Sequence, residues 1–520
     1  MAQEPPMDDQ REVTAFLSAG ASYGLPTAPV EQIITHCSIV FLVGERAYKL
    51  KRAVRFSYLD YSTLALRERF CRAELALNRR TAPEIYLGLR AITREAGGGL
   101  AFDGAGETVD WVVEMRRFRE ADLFDCMAEA RRLTPALMRA LADIIAAFHA
   151  GAEPTPGRGG RTGIAATIAI NHDNLCLASP PLDRAEIDRL RAASTERLAA
   201  VGDLLEARRD AGKVRRCHGD LHLRNVCLFE QKPMLFDCIE FNDDFACIDV
   251  LYDLAFLLMD LIARGLADHA NLVLNRYLDR SGDIGGLAAL PLFLSERAAV
   301  RAHVLGVLVR TGKPETAAET ARSAASYLAL SLSLLQRQPP RLIAIGGLSG
   351  SGKSTAAQAL AARLPPAPGA RLTRSDVLRK RLAEVAPETR LPRESYSLAD
   401  ARRVYAAFYD EAAAALAAGF SAVVDATFLR PDEREAVAAL AARAGVPFTG
   451  LWLEAPPEML AARLAARRDD ASDADRAVLD WQLGIDTGAI AWRRIDAARG
   501  PAETIALALN ATGIPEPSSS

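Results

Sequence analysis

One stretch limits what this chain can fold into more than any other. Leu342-Ile343-Ala344-Ile345 is an apolar run that reads as a buried strand. Gly346-Gly347-Leu348-Ser349-Gly350-Ser351-Gly352 follows. Lys353-Ser354-Thr355 then leads into Ala356-Ala357-Gln358-Ala359-Leu360, a good helix former. Residues 347–354 fit G-x-x-x-x-G-K-[ST], the spacing of a phosphate-binding loop. Glycines let backbone N–H groups curl around phosphate oxygens where a Cβ would crowd the anion. The helix that follows points its positive end at the same place. Gly347, Ser349, Gly350, Ser351, Gly352, Lys353, Ser354 and Thr355 are therefore candidate nucleotide-binding residues. Lys353 is suited to reach the β- and γ-phosphates, and the Ser354 hydroxyl to bind Mg2+. The motif reads phosphates, so GTP stays open beside ATP.

At 520 residues the chain is too long for one ordinary domain, and half of it is hydrophobic. A net charge of −3 gives no support to a general nucleic-acid or membrane-surface binder. No apolar run approaches the roughly 20 residues needed to span a bilayer. Residues 1–11 are acidic and proline-bearing, without the apolar core of a signal peptide. A soluble cytoplasmic protein is the expectation. Eight cysteines lie before the phosphate loop, none in C-x-x-C, and read as small buried hydrophobes rather than a disulfide framework. Arginine greatly outnumbers lysine, so a retained lysine such as Lys49, Lys51 or Lys353 hints that a compact ammonium is wanted there.

In chain order, residues 1–35 read as a leader and a helix. Strands follow at 38–43 and 47–51, a helix at 63–81, and strands at 85–93 and 110–116. Lys49 and Lys51 alternate with Tyr48 and Leu50, so both point to one face. Helices are expected at 135–149, 182–211, 249–263, 267–279 and over much of 290–335, with a short hairpin at 226–236. Gln336-Arg337-Gln338-Pro339-Pro340 is a polar, proline-stiffened break. Beyond it, strands at 342–346, 371–373, 421–425 and 448–453 alternate with alanine-rich helices, which implies a parallel sheet covered on both faces. The expected division is a first domain over 1–337, a linker at 338–341, a second domain over 342–511 and a disordered tail over 512–520.

A second constellation precedes the break. His218-Gly219-Asp220 with Asn225 fits H-x-D-x-x-x-x-N. Such a loop needs a carboxylate to take or orient a hydroxyl proton and, five residues on, an amide oxygen to help hold a metal. Asp237 follows an apolar strand, where a ligand for Mg2+ on nucleotide phosphates would sit. Lys49 with Glu74 could form the ion pair that positions those phosphates, and Lys51 is the competing choice of lysine.

Here the chain resembles a known family. Residues 30–335 look like the aminoglycoside phosphotransferase branch of the protein-kinase fold, through "CHGDLHLRN", "LFDCIEF" and "DVLYDLAFL". The resemblance implies Asp220 as catalytic base, Asn225 and Asp237 as Mg2+ ligands, and Lys49 with Glu74 as the phosphate-positioning pair. It also implies Asp253 as a brace for the catalytic loop and residues 114–115 near the adenine. No glycine-rich loop of the protein-kinase type precedes Lys49. The branch phosphorylates several kinds of small alcohol, so aminoglycosides do not follow from the fold.

The second domain carries its own chemistry. Asp376 and Arg379 lie one helical turn apart and would face one cleft, able to activate a hydroxyl and hold a phosphate. Asp425 ends a buried strand, as a magnesium-organising carboxylate should. Arg463, Arg467 and Arg468 precede a flexible acidic stretch and suggest a lid, with Arg467 contacting the nucleotide. Residues 341–511 resemble P-loop kinases of small metabolites and of polynucleotide 5′ ends. The whole arrangement resembles a bacterial family of fused proteins, an aminoglycoside phosphotransferase-like domain joined to a P-loop kinase-like ATP-binding domain. The expected fold is thus α+β protein-kinase-like, followed by an α/β P-loop NTPase with a parallel sheet. The expected function is ATP- and Mg2+-dependent transfer of the γ-phosphoryl group to hydroxyls of small molecules at two nucleotide sites. The alternatives are a regulatory protein in which ATP at one domain gates the other, and a polynucleotide 5′-end kinase. No feature sets an oligomeric state.

Overall fold

The computed structural model describes residues 9–56, 58–311, 314–466 and 471–514. By contact the chain divides into two compact units, 1–163 with 208–254, and 164–207 with 255–520. The break expected at 338–341 lies inside the second of these.

The first unit is built on a six-stranded antiparallel sheet. Its order is Glu31–Ile34, Ser38–Val43, Arg46–Lys51, Glu107–Arg116, Tyr86–Arg94 and Leu100–Phe102. Arg46–Lys51 is therefore an interior strand. Tyr48 and Leu50 pack on one face with Phe41, Val112 and the helix Arg11–Leu17 through Val13 and Leu17. Ala47, Lys49 and Lys51 take the other face, where the helix Leu64–Asn78 lies, capped by the Thr63 hydroxyl accepting from the Leu66 N–H. The edge strand Glu31–Ile34 was not expected. All four of its residues are exposed, so it has no alternating pattern and exists because its backbone pairs with Ser38–Val43.

The hairpin of Val226–Phe229 and Lys232–Leu235 closes through Glu230 and Gln231, both with positive φ, as a tight two-residue turn requires.

The second unit holds the long helices Leu290–Thr311 and Ala317–Leu334, and a five-stranded parallel sheet. The sheet order is Arg371–Arg374, Ala422–Asp425, Leu342–Gly347, Phe448–Glu454 and Arg493–Asp496. The fifth strand was not expected: Arg493-Arg494-Ile495-Asp496 has one apolar residue, and only Ile495 is buried. Helices Lys353–Ala361 and Pro501–Thr512 cover one face, and Leu398–Ala417 and Pro431–Ala444 the other. The outer edge of Arg371–Arg374 meets the helix Ala267–Ser281. There Asn275 Oδ1 accepts from the Leu372 N–H (2.8 Å), and Asn271 and Asn275 donate to the Ala370 carbonyl. Side-chain amides thus complete an edge that would otherwise be unpaired. Helix Pro501–Thr512 runs into the start of the expected tail; residues 515–520 lie outside the described residues. No helix among the described residues is long and apolar enough to cross a membrane.

Candidate active sites

In the first unit, one carboxylate serves two lysines. Glu74, fully buried, accepts from Lys49 Nζ on Oε1 (2.8 Å) and from Lys51 Nζ on Oε2 (2.6 Å). Burial works against its charged form, but Lys49 and Lys51 outweigh that and hold it down at about 2. The lysines then part company. Lys51, 1% exposed, is closed in by Glu240 and Tyr61. Lys49 reaches Asp237 Oδ1 at 2.5 Å, and the Asp237 side chain is 44% exposed. Lys49 therefore faces the open side, and Lys51 stands behind it as a buried support for Glu74.

Asp237 has φ +61°, an uncommon conformation for a non-glycine residue. Its neighbours hold it: its N–H donates to the Tyr86 hydroxyl (3.1 Å), and the Cys238 N–H to Asn78 Oδ1 (2.9 Å). The helix that supplies Glu74 thus also pins the segment carrying Asp237. Asn225 Nδ2 donates to both the Asp220 carbonyl and Asp220 Oδ2 at 2.9 Å, and His222 Nε2 lies 3.4 Å from Oδ2.

The loop is braced from beneath. Asp253 accepts from the N–H groups of His218 (3.1 Å) and Gly219 (2.8 Å) and contacts His149 Nε2 (3.0 Å). Gly219 has φ +85°, and a Cβ there would meet the Phe245 carbonyl at 2.9 Å. His218 donates from Nε2 to the Phe236 carbonyl (2.9 Å), tying the loop to the segment before Asp237. Burial lowers the His218 pKa against the pull of Asp253 and Asp220, which favours the neutral ring. The donor set of Asn225 and Asp237, both oxygen-bearing, fits a hard cation such as Mg2+. The backing roles of His149, Asn78, Tyr86 and Glu240 were not expected. Only Glu240 lay in a quoted motif, and nothing local marks the others. Glu114 contacts the Tyr48 hydroxyl (3.3 Å) and pairs opposite Tyr48 on the strand, so it faces away from Lys49.

In the second unit, the phosphate loop lines a cleft of about 1520 Å3 with Asp376, Arg379, Asp425, Tyr396, Arg463 and Trp481. Gly347, Gly350 and Gly352 all have positive φ, and Gly352 caps the helix Lys353–Ala361. Such backbone is what an anion-binding turn requires. At Gly350 a Cβ would meet the Leu460 carbonyl at 2.7 Å. Gly350→Ala is therefore expected to cost about 1–3 kcal/mol through strained backbone and to weaken nucleotide binding at least about tenfold, a change of about 1.4 kcal/mol. Thermal unfolding and a nucleotide titration check both.

Ser351 and Thr355 line the same cleft, and the Ser351 hydroxyl is buried without a hydrogen-bond partner. Ser354 Oγ donates to Asp425 Oδ2 at 2.6 Å, so hydroxyl and carboxylate meet where a Mg2+ would take both. Arg374 Nε lies 3.5 Å from the same oxygen. Lys353 Nζ donates to the Leu348 carbonyl (2.9 Å), while the Ser349 N–H and Oγ are both engaged by the buried amide of Gln482. Gln482 lies 133 residues away from Ser349, and no sequence signal marked it. Burial raises the Asp376 pKa, against Arg374 and Ser472. Arg379 donates to the Ser395 carbonyl (3.0 Å) and lies over the Tyr396 ring. Asp473, in the acidic stretch expected to be flexible, accepts from Lys380 (2.5 Å), the Tyr396 hydroxyl (2.5 Å) and the Leu391 N–H (3.0 Å), which fastens that end of it. Arg463 donates to the Ala497 carbonyl (2.8 Å). Arg467 and Arg468 lie outside the described residues.

Comparison with known proteins bears on both sites. Residues 106–290 match the Phosphotransferase enzyme family, and residues 342–484 match the AAA domain model. Two relatives span nearly the whole chain. The uncharacterised proteins Rv2004c of Mycobacterium tuberculosis and Mb2027c of Mycobacterium bovis are each 31% identical over 481 residues, covering 90% of this chain and 92% of theirs. The chain belongs to this bacterial family of fused proteins, in which an aminoglycoside phosphotransferase-like domain is joined to a P-loop kinase-like domain. Solved structures similar to parts of this fused protein include a choline/ethanolamine kinase family protein from Mesorhizobium loti. It is 13% identical, covers 62% of this chain and 98% of its own, and has a TM-score of 0.37. A gluconokinase from Sinorhizobium meliloti 1021 is 21% identical, covers 34% and 94%, and has a TM-score of 0.24. The two matched models support phosphoryl transfer as the general activity of the fused protein.

Proposed function

We propose that this fused protein is an ATP- and Mg2+-dependent phosphotransferase with two nucleotide sites, each moving a γ-phosphoryl group to a hydroxyl of a small molecule. One observation carries the reading: each unit brings a lysine and carboxylates together at a metal-competent site. In the first unit Lys49, oriented by Glu74, meets Asp237, and Asn225 grips Asp220. In the second, Lys353 sits in the glycine cradle beside the Ser354–Asp425 contact, with Asp376 in the same cleft.

We assign Lys49 to the nucleotide phosphates, Asn225 and Asp237 to Mg2+, and Asp220 to the acceptor hydroxyl proton. In the second domain, residues 342–511, we assign Lys353 to the phosphates, Ser354 and Asp425 to Mg2+, Asp376 to the hydroxyl proton and Arg379 to the phosphoryl group. Mg2+, when bound, neutralises charge on the phosphate oxygens. The chain's own part is positioning. Lys49, held by Glu74, and Lys353, in the glycine cradle, hold the phosphates still, and a carboxylate draws the hydroxyl proton as the oxygen attacks in line. In the first unit that carboxylate is fixed by an amide. Asp376, its pKa raised by burial, is a better base than an exposed aspartate.

A second reading, ATP-driven gating, is favoured by the internal bonds of the phosphate loop. Lys353 to Leu348, and Ser349 to Gln482, must be exchanged when a nucleotide enters. The deciding experiment is transfer of labelled γ-phosphate from ATP into a size-fractionated extract of small metabolites, comparing wild type, Asp220→Ala and Lys353→Ala. Labelling of a metabolite that one variant abolishes is the expected result and names both domain and substrate. Phosphate release that depends on Lys353 while no acceptor is labelled would favour gating instead.

A further inference from the structure

A cavity of about 350 Å3 lies inside the second unit, apart from the phosphate-loop cleft. Much of its wall is aliphatic or aromatic, with Val201, Ala288, Pro291, Pro340, Pro366 and Phe420. Two arginines break that wall. Arg197 comes from the helix Arg184–Asp210, and Arg337 from the polar segment that follows Ala317–Leu334. Arg197 Nε is buried and has no hydrogen-bond partner. Among the described residues neither guanidinium takes part in an ion pair or a hydrogen bond. Burial first, and then the like charge of Arg337, lower the Arg197 pKa, and the neighbouring Glu196 offsets part of this.

A buried guanidinium N–H without an acceptor is costly, and a second cation facing it adds repulsion. An anion in the cavity removes both penalties. We propose that this cavity binds a small phosphate monoester, its phosphate held between Arg197 and Arg337 and its organic body against the aliphatic wall. Two guanidiniums present two forks of donors and two charges. One fork already satisfies a carboxylate, whereas a phosphate dianion offers three terminal oxygens and two negative charges. The volume lies at the small end of the range for small-molecule sites. Gln336, Gln338 and Pro340 line the same cavity, and this segment runs directly into the strand Leu342–Gly347 that carries the phosphate loop. The site is separate from both proposed nucleotide sites and does not depend on their assignment.

The test is calorimetric titration of the full chain, in excess ADP and Mg2+, with phenyl phosphate, and with benzoate as the monoanionic control. Phenyl phosphate is expected to bind at least tenfold more tightly than benzoate. Arg197→Leu and Arg337→Ala are each expected to weaken it at least tenfold. Without added phosphate ester, Arg197→Leu is expected to raise the Tm, because a buried Nε–H without an acceptor is gone. The proposal is overturned if phenyl phosphate fails to bind, if both variants bind it as wild type does, if benzoate binds equally, or if Arg197→Leu lowers the Tm. Should Arg197→Leu fail to fold, Arg337→Ala, on an exposed segment, still decides.

Discussion

Replacing Glu74 with alanine is expected to cost about 3–5 kcal/mol, because it leaves buried charge without its partner. That is a large share of a total folding stability of about 5–15 kcal/mol. The size follows from the geometry. Each oxygen of Glu74 accepts from a different lysine, so a single substitution strips both Lys49 and Lys51 of a carboxylate. Lys51 keeps Glu240 and Lys49 keeps Asp237, so the loss stays within the range for one broken pair. Chemical denaturation of wild type and Glu74→Ala measures it. Adding Lys51→Met should recover part of the loss, since Lys51 is the more deeply buried cation.

The same group sets a pH dependence. Glu74 is held at about 2, below its ordinary value of 4.5. A depressed carboxylate stabilises the fold fully above its unfolded pKa and loses that contribution as pH falls through the folded one. The Glu74 contribution should therefore be constant above about pH 5 and decline between about 4.5 and 2. Glu74→Gln should flatten that part of the acid-denaturation curve. Identical curves for the two proteins would show that Glu74 does not carry it.

Asp220→Ala is expected to lower transfer at the first site by about 10²–10⁴-fold, the range for a positioned general base. The loss should fall on kcat and leave the KM for ATP nearly unchanged. Asp220 is held by Asn225 and lies near His222, whereas the proposed phosphate contacts run through Lys49, Glu74 and Asp237. Steady-state kinetics on the acceptor found by labelling would separate the two effects. A rise in the KM for ATP at constant kcat would place Asp220 in nucleotide binding instead. Full retention of kcat would remove it from the chemistry.

The chain's pattern made both glycine-rich and kinase-like segments legible, because their chemistry is local. The spacing from Gly347 to Ser354 prescribes its own turn, and His218 to Asn225 its own loop. Where the reading fell short, the cause was non-local. Glu31–Ile34 and Arg493–Asp496 are edge strands with little alternation, and backbone pairing makes them strands. Gln482 reaches the phosphate loop from a helix whose sequence reads as an ordinary amphipathic surface.

The lysines state the division most clearly. Alternation along Ala47-Tyr48-Lys49-Leu50-Lys51 determined that both ammonium groups share a face, since strand side chains repeat every second residue. It could not say which one meets the cleft. That was decided by what stands opposite: Glu240 and Tyr61 enclose Lys51, and the half-exposed Asp237 receives Lys49. Sequence by itself determined the chemical groups and their local turns. Tertiary structure decided which groups are desolvated and which face one another. Charge interactions depend on through-space distance and burial, and neither is written in the spacing along the chain.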